Sequence, residues 1–158
     1  MEAYYIEPFA KAAENVFRTA LGCEIQRKSV VLKGRGVPAH EITGQIRLTG
    51  KASGAVTLSV SPAIAFKIVA AMLDLQVDEI NSDVTDAVCE LTNMIAGGAK
   101  TWLSECELSL GLPEVIIGQT RTVEYPSDVD PHCIYFGSAW GPFAVEIGLT
   151  RMALAAQG

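Results

Sequence analysis

Asp86, Glu90, Asn93 and Gly97 follow one another at steps of four, three and four residues. On an α-helix those steps place all four inside an arc of roughly 60°. The chemistry open to such a set is narrow. A carboxylate can pair with a cation on another molecule. A carboxamide one turn further along can accept or donate a hydrogen bond while staying uncharged. A glycine on the same line lets a partner come close to the backbone. No Ser/His/Asp or Cys/His arrangement for nucleophilic catalysis is evident in the chain.

The element that must carry these residues is a long helix, expected from about Val84 to about Glu107. No proline interrupts it, and apolar residues recur at helical spacing. Val84, Val88, Leu91, Ile95 and Trp102 fall on the side opposite the polar stripe, so the core would use one face and leave the other. Any amphipathic helix shows such a division, and a plain solvated face is the alternative reading. Two choices of residue argue against it. Asn is a poor helix former at an exposed interior position. Gly97 and Gly98 each cost about 1 kcal/mol relative to Ala. Gly98 points towards the apolar side, where it would let another element pack closely; Gly97 lies beside Asn93 on the polar stripe.

The rest of the chain reads as support for that helix. Pro8 to Leu21 is a first helix, with Phe9, Ala12, Ala13, Val16, Phe17 and Ala20 on its apolar face and Gly22 as its stop. Its Glu14 and Asn15 are adjacent and so cannot share a face as Glu90 and Asn93 do. Strand patterns follow over Cys23–Lys33, Glu41–Leu48 and Ala55–Val60, broken by Gly34–Pro38 and by a hairpin loop at Gly50–Gly54. Ser61 caps a second, mostly apolar helix from Pro62 to Leu73. Asn81, Ser82 and Asp83 offer caps for the third. Val115–Glu124, Cys133–Ala139 and Phe143–Leu149 read as three more strands, with a polar loop at Pro126–Pro131, a Gly141-Pro142 turn and a frayed tail from Ala153. Hairpin connections make the sheet antiparallel. The expected fold is α+β: a sheet of about six strands with helices on one face, forming a single domain over residues 1–158.

Composition removes several classes of function. The formal charge of −6, with Lys and Arg scattered, argues against a phosphate backbone as partner. Pro62–Leu73, the most apolar run, is too short to span a bilayer and contains Lys67. Met1-Glu2-Ala3-Tyr4 has no signal-peptide character, and Cys23, Cys89, Cys106 and Cys133 lie far apart with no CxxC pair. A cytoplasmic protein with reduced thiols is expected, with no nucleic-acid or membrane partner. Gly50-Lys51-Ala52 lacks the Ser or Thr of a phosphate-binding loop, and His40-Glu41 lacks the second His of a zinc-protease signature. His132 reads as a surface residue rather than a ligand, and no metal site is expected.

The run Glu90-Leu91-Thr92-Asn93-Met94-Ile95-Ala96-Gly97, with Asp86 ahead of it, resembles the signature of the CheC/CheX/FliY family of chemotaxis phosphatases. That signature is Asp or Ser, three residues, Glu, two residues, Asn, three residues, Gly. The order of elements resembles CheX over nearly the whole chain. CheC and FliY carry two such motifs and this chain one, as in CheX-like members. The resemblance implies a hydrolase acting on the phosphoaspartate of a CheY-type response regulator in two-component signalling. Asn93 would orient the attacking water. Glu90 would pair with the partner's active-site lysine, and Asp86 and Gly97 would lie in the partner-binding face. The chain would need no cofactor of its own, because the partner response regulator supplies the Mg²⁺. The resemblance also implies a homodimer, which could form by joining sheet edges. Two other readings compete: a non-catalytic module of the same fold that docks a response regulator or flagellar-switch protein, and a structural subunit carrying the motif by accident.

Overall fold

A computed structural model describes residues 4–33, 38–120, 123–126 and 128–151. The chain runs α1 (Ile6–Leu21), β1 (Ile25–Leu32), β2 (Ile42–Thr49), β3 (Ala52–Val60), α2 (Pro62–Leu73), α3 (Ser82–Trp102), β4 (Ser109–Leu110), β5 (Glu114–Ile117), β6 (His132–Ser138) and β7 (Phe143–Arg151). The strands form one seven-stranded sheet in the order β1-β6-β7-β3-β2-β4, with β5 also paired to β2, and every pairing is antiparallel. The α+β architecture expected from the sequence is therefore the one observed. No helix among the described residues is long and apolar enough to cross a membrane.

The period-2 alternation of the strands divides the sheet into two faces. Ile42, Ile46 and Leu48 of β2, Val56, Leu58 and Val60 of β3, and Phe143, Val145 and Ile147 of β7 point into the core beneath the helices. Phe17 of α1 stacks on Phe143 at 4.5 Å between ring centroids, and Phe136 stacks on the same ring at 5.2 Å. Residues one step out of phase look the other way. There Ala55 packs with Ile116, Val123, Tyr125 and Val129 in a second, smaller core. Gly148 makes room for it: a Cβ at that position would meet Tyr125 at 2.6 Å and Val129 at 2.7 Å.

The helix boundaries follow the capping signals. Gly22 ends α1 in the left-handed region at φ 64°. Ser61 accepts a hydrogen bond from the Ile64 N–H at 3.2 Å, and Pro62 opens α2.

Four expectations need correction. The β2–β3 turn is shorter than Gly50–Gly54, because β3 already begins at Ala52. Gly54 lies inside that strand, where a Cβ would overlap the Gly148 carbonyl oxygen. The strand expected over Val115–Glu124 ends at Ile117, where Gly118 turns the chain at φ 96°. Ser109–Leu110 adds a short seventh strand. The third helix stops at Trp102, not Glu107. After Trp102 the chain turns through a single 3₁₀ turn at Ser104–Cys106 and a left-handed Glu107, with Leu103 and Cys106 buried. Trp102 consequently misses the core and lies 63% exposed. The break read at Gly34–Val37, the initial residues 1–3 and the tail from Ala153 lie outside the described residues.

Candidate functional site

Helix α3 forms where its ends are capped and its charges suit the helix dipole. The Asn81 side chain accepts from the Val84 N–H at 3.1 Å. Asp83 stands in the first turn and Lys100 in the last. Val84, Ala87, Val88, Leu91, Thr92, Ile95, Ala96 and Ala99 are buried, which fixes the helix's rotation about its own axis.

Two close approaches fix its position. Gly44 of β2 faces α3, and a Cβ there would collide with the Thr92 hydroxyl and come within 3.2 Å of the Val88 carbonyl. Thr92 Oγ1 donates to that same carbonyl at 2.7 Å, so the buried hydroxyl is satisfied within the helix. On the other side a Cβ at Gly98 would stand 3.2 Å from Ala12 Cβ, so α1 and α3 nearly touch there. Gly98 thus has the packing role expected of it. The Gly44–Thr92 contact carries no sequence signal, since which strand residue meets which helix residue is a matter of tertiary register.

With the helix held this way, the four singled-out residues share its outer face. Asp86 and Glu90 are exposed, and Asn93 and Gly97 are partly buried. Nothing lies within 4 Å of where a Gly97 Cβ would be, so the backbone there is open to a visitor. Glu90 and Asn93 are separated by about 4.5 Å along the axis, and Asp86 and Gly97 by about 16 Å. Among the described residues, no hydrogen bond or ion pair occupies the side chains of Asp86, Glu90 or Asn93. Their hydrogen-bonding capacity is left for another molecule.

The same face disfavours thiolate chemistry. Cys89 is partly buried, and desolvation followed by the nearby Asp86 charge pushes its thiol pKa up. Among the described residues no group of three or more His, Cys, Asp or Glu is placed to hold a metal ion. His132, read as a surface residue, is half-buried at the start of β6, with Nδ1 3.2 Å from the Tyr5 hydroxyl. What the face offers is a neutral amide and a carboxylate one turn apart, on a convex surface. Any reaction they serve takes place on a molecule docked against α3.

Comparison with known proteins agrees with this geometry. Residues 42–137, which include α3, match the family model of chemotaxis phosphatase CheX. A chemotaxis protein CheX from Desulfovibrio desulfuricans is 30% identical, with 92% of this chain and 99% of that one covered and a TM-score of 0.82. The CheX of Vibrio vulnificus is 28% identical over 94% of this chain and 100% of that one, with a TM-score of 0.81. A CheX from Borrelia burgdorferi, solved as a complex with CheY, BeF₃ and Mg²⁺, has the same fold at 21% identity, with 95% and 100% covered and a TM-score of 0.78. No curated protein sequence matched. The chain belongs to the CheX family of chemotaxis phosphatases.

Proposed function

We propose that this protein hydrolyses the aspartyl phosphate of a CheY-type response regulator, with Asn93 and Glu90 of α3 reaching into the regulator's active site. The observation that carries this reading is the unoccupied Glu90–Asn93 pair on the outer face of a rigidly seated helix. The Borrelia complex supports it, since there a CheX of this fold is assembled with CheY, BeF₃ and Mg²⁺.

The chemistry asks little of this chain. In the reaction a bond forms from water oxygen to phosphorus as the bond from phosphorus to the aspartyl oxygen breaks, giving aspartate and inorganic phosphate. The divalent cation comes with the partner, where it neutralises charge on the phosphoryl oxygens. The water must be aligned with the bond that breaks. Asn93 does this through its amide, which adds no negative charge beside the phosphoryl group; a carboxylate there would be repelled. Orientation of this kind contributes roughly 10²-fold or more in rate. Glu90 pairs with a lysine of the partner. Docking desolvates that pair, so it contributes more than the roughly 1 kcal/mol ceiling of an exposed one. Asp86 and Gly97 extend the contact along the helix.

The deciding experiment follows phosphate loss from a panel of radiolabelled CheY-type regulators. Wild-type protein is expected to accelerate loss from at least one, and Asn93→Ala to abolish most of that acceleration with its fold intact. Equal rates for the two proteins would end the assignment of Asn93. Wild-type binding without turnover would instead favour the non-catalytic module. Glu90→Ala is expected to weaken both docking and turnover, and an unchanged affinity would remove its role.

We also infer that two copies join through β1. This strand ends the sheet, and seven of its eight residues are exposed, with Val30, Val31 and Leu32 among them. At the opposite edge β4 and β5 cover β2. A monomer by light scattering at tens of micromolar would remove the dimer without touching the chemistry.

A further inference from the structure

A groove of about 430 Å³ runs between α1 and the C-terminal end of α3. Lys11, Glu14, Asn15 and Arg18 line it from α1, and Thr101 and Trp102 from α3. Lys11 Nζ lies 5.3 Å from the centroid of the exposed Trp102 ring. Arg18 Nη2 donates to Asn15 Oδ1 at 3.4 Å.

Neither cation is held in an ion pair among the described residues, although the Lys11 charge acts on Glu7. Glu7 and Glu14, the carboxylates of α1 beside them, are both gripped by Arg27 of β1. Its guanidinium donates to Glu14 at 2.8 and 3.0 Å and to Glu7 at 2.8 and 2.9 Å. Among the described residues neither Lys11 nor Arg18 forms an ion pair. In a chain of net charge −6 this is a local reversal of sign. Lys100, exposed in the last turn of α3, adds to it. The other end of α3 carries Asp83, Asp86 and Glu90. Across α1 and α3 there is thus a carboxylate end at the start of α3 and a cationic end at the groove, with the neutral Asn93 between them.

Size decides what must meet the cationic end. A stable protein contact covers about 800 Å² on each partner, a disc of roughly 16 Å radius. Thr101 and Trp102 lie eight and nine residues beyond Asn93, only about 12–14 Å along the axis. A footprint of that radius centred on Asn93 therefore reaches the outer rim of the groove, where Lys11 and Arg18 of α1 are exposed. Cations at that rim are either matched by the partner or desolvated at a cost.

We propose that the groove is a second contact for the same regulator. It receives an acidic segment of the regulator's surface, whose carboxylates lie on Lys11 and Arg18 beside the Trp102 ring, while Glu90 takes the regulator's lysine. This inference rests on the phosphatase reading. The two opposite-signed contacts fix which way round the regulator docks, and so direct Asn93 to the phosphoryl group. Lys11, Arg18 and Trp102 act on affinity and choice of partner, as positioning residues.

The test is the steady-state kinetics of phosphate release from the regulator that wild-type protein turns over best. For the double charge reversal Lys11→Glu/Arg18→Glu we expect KM to rise at least tenfold with kcat within twofold. The salt dependence of kcat/KM should also flatten. The charge-conserving Lys11→Arg/Arg18→Lys should restore KM to within threefold of wild type. Both pairs of side chains are exposed, so thermal unfolding should match wild type. An unchanged KM for the reversal, or a KM raised equally by the conservative pair, would overturn the inference and leave the phosphatase reading standing. A wild-type protein that neither binds nor turns over any regulator would overturn that reading, and this inference with it.

Discussion

The molecule holds two polar constellations of opposite character, one on α3 and one on the far side of the sheet. On the far side Glu146 of β7 is 4% exposed. Tyr125 donates to its Oε1 at 2.8 Å, and Lys33 Nζ stands 2.9 Å from its Oε2. Thr57 and Cys133 sit opposite it on the neighbouring strands. Burial, and then the Glu146 charge, push the Tyr125 phenol well above its ordinary value. By the rule that perturbed titration marks function, this would be the active site. Its geometry argues otherwise. Both carboxylate oxygens are engaged, and Tyr125 and Val129 close the cluster off. It is a finished network that pins the segment around Tyr125 to the sheet. The α3 face is unfinished. Glu90 and Asn93 touch no committed partner; on the proposed reading, the groups that complete them belong to another protein. A shared active site leaves no internal electrostatic signature on the half that donates the amide.

Substitutions can break that contrast. Glu146→Ala has the largest expected effect on stability. It removes the carboxylate that pairs with the Lys33 ammonium and leaves the Tyr125 hydroxyl without its acceptor. Breaking a buried pair in this way typically costs 3–5 kcal/mol, and because the Lys33 side chain keeps 19% exposure the low end applies, about 3 kcal/mol. Urea unfolding should register that loss, while turnover per folded molecule stays within twofold of wild type. A collapse of turnover with stability intact would mean that the buried cluster is functional after all. Asn93→Ala should do the reverse. A hundredfold fall in turnover corresponds to about 2.7 kcal/mol of barrier, with an unmoved unfolding midpoint. If the urea midpoint fell as far as in Glu146→Ala, Asn93 would be a structural residue and the contrast would fail.

How far each region could be read in advance follows from how local its determinants are. The α3 stripe was legible because its residues lie within one helix, where spacing alone sets direction. The same holds for the caps Asn81, Ser61 and Gly22 and for the alternation along β2, β3 and β7. Trp102 was misplaced because periodicity carries no information on where the core stops; as the last residue of α3 it lies past the sheet's cover and stays exposed. The far-side cluster was invisible for a related reason. Glu146 occupies an outward position in a strand that alternates, which reads as solvent-facing unless something covers it. Its cover comes from Lys33 and Tyr125, distant in sequence. The tight seat of α3 on Gly44 was hidden in the same way, as a contact between a strand glycine and a helix threonine.

The smallest expected effect tests whether the far-side network is only structural, and it needs no partner protein. Tyr125 has its pKa raised in the folded state, so the folded form keeps its proton where the unfolded form loses it. Such a group contributes stability that is fully present below the unfolded phenol pKa of about 10 and is lost as pH rises through the folded value. The loss accrues at about 1.4 kcal/mol for each pH unit in that window, since one proton separates the two states. Tyr5 and Tyr135 are also raised and add to the slope. Tyr125→Phe should therefore be modestly less stable than wild type at neutral pH, having lost a hydrogen bond to a charged acceptor worth about 1.5–3 kcal/mol. Above pH 10 it should lose stability less steeply, so that the two stability curves converge. Parallel curves would place the alkaline titration elsewhere. A changed turnover at neutral pH would tie the buried network to the α3 face, and the division between a finished structural site and an open functional one would not hold.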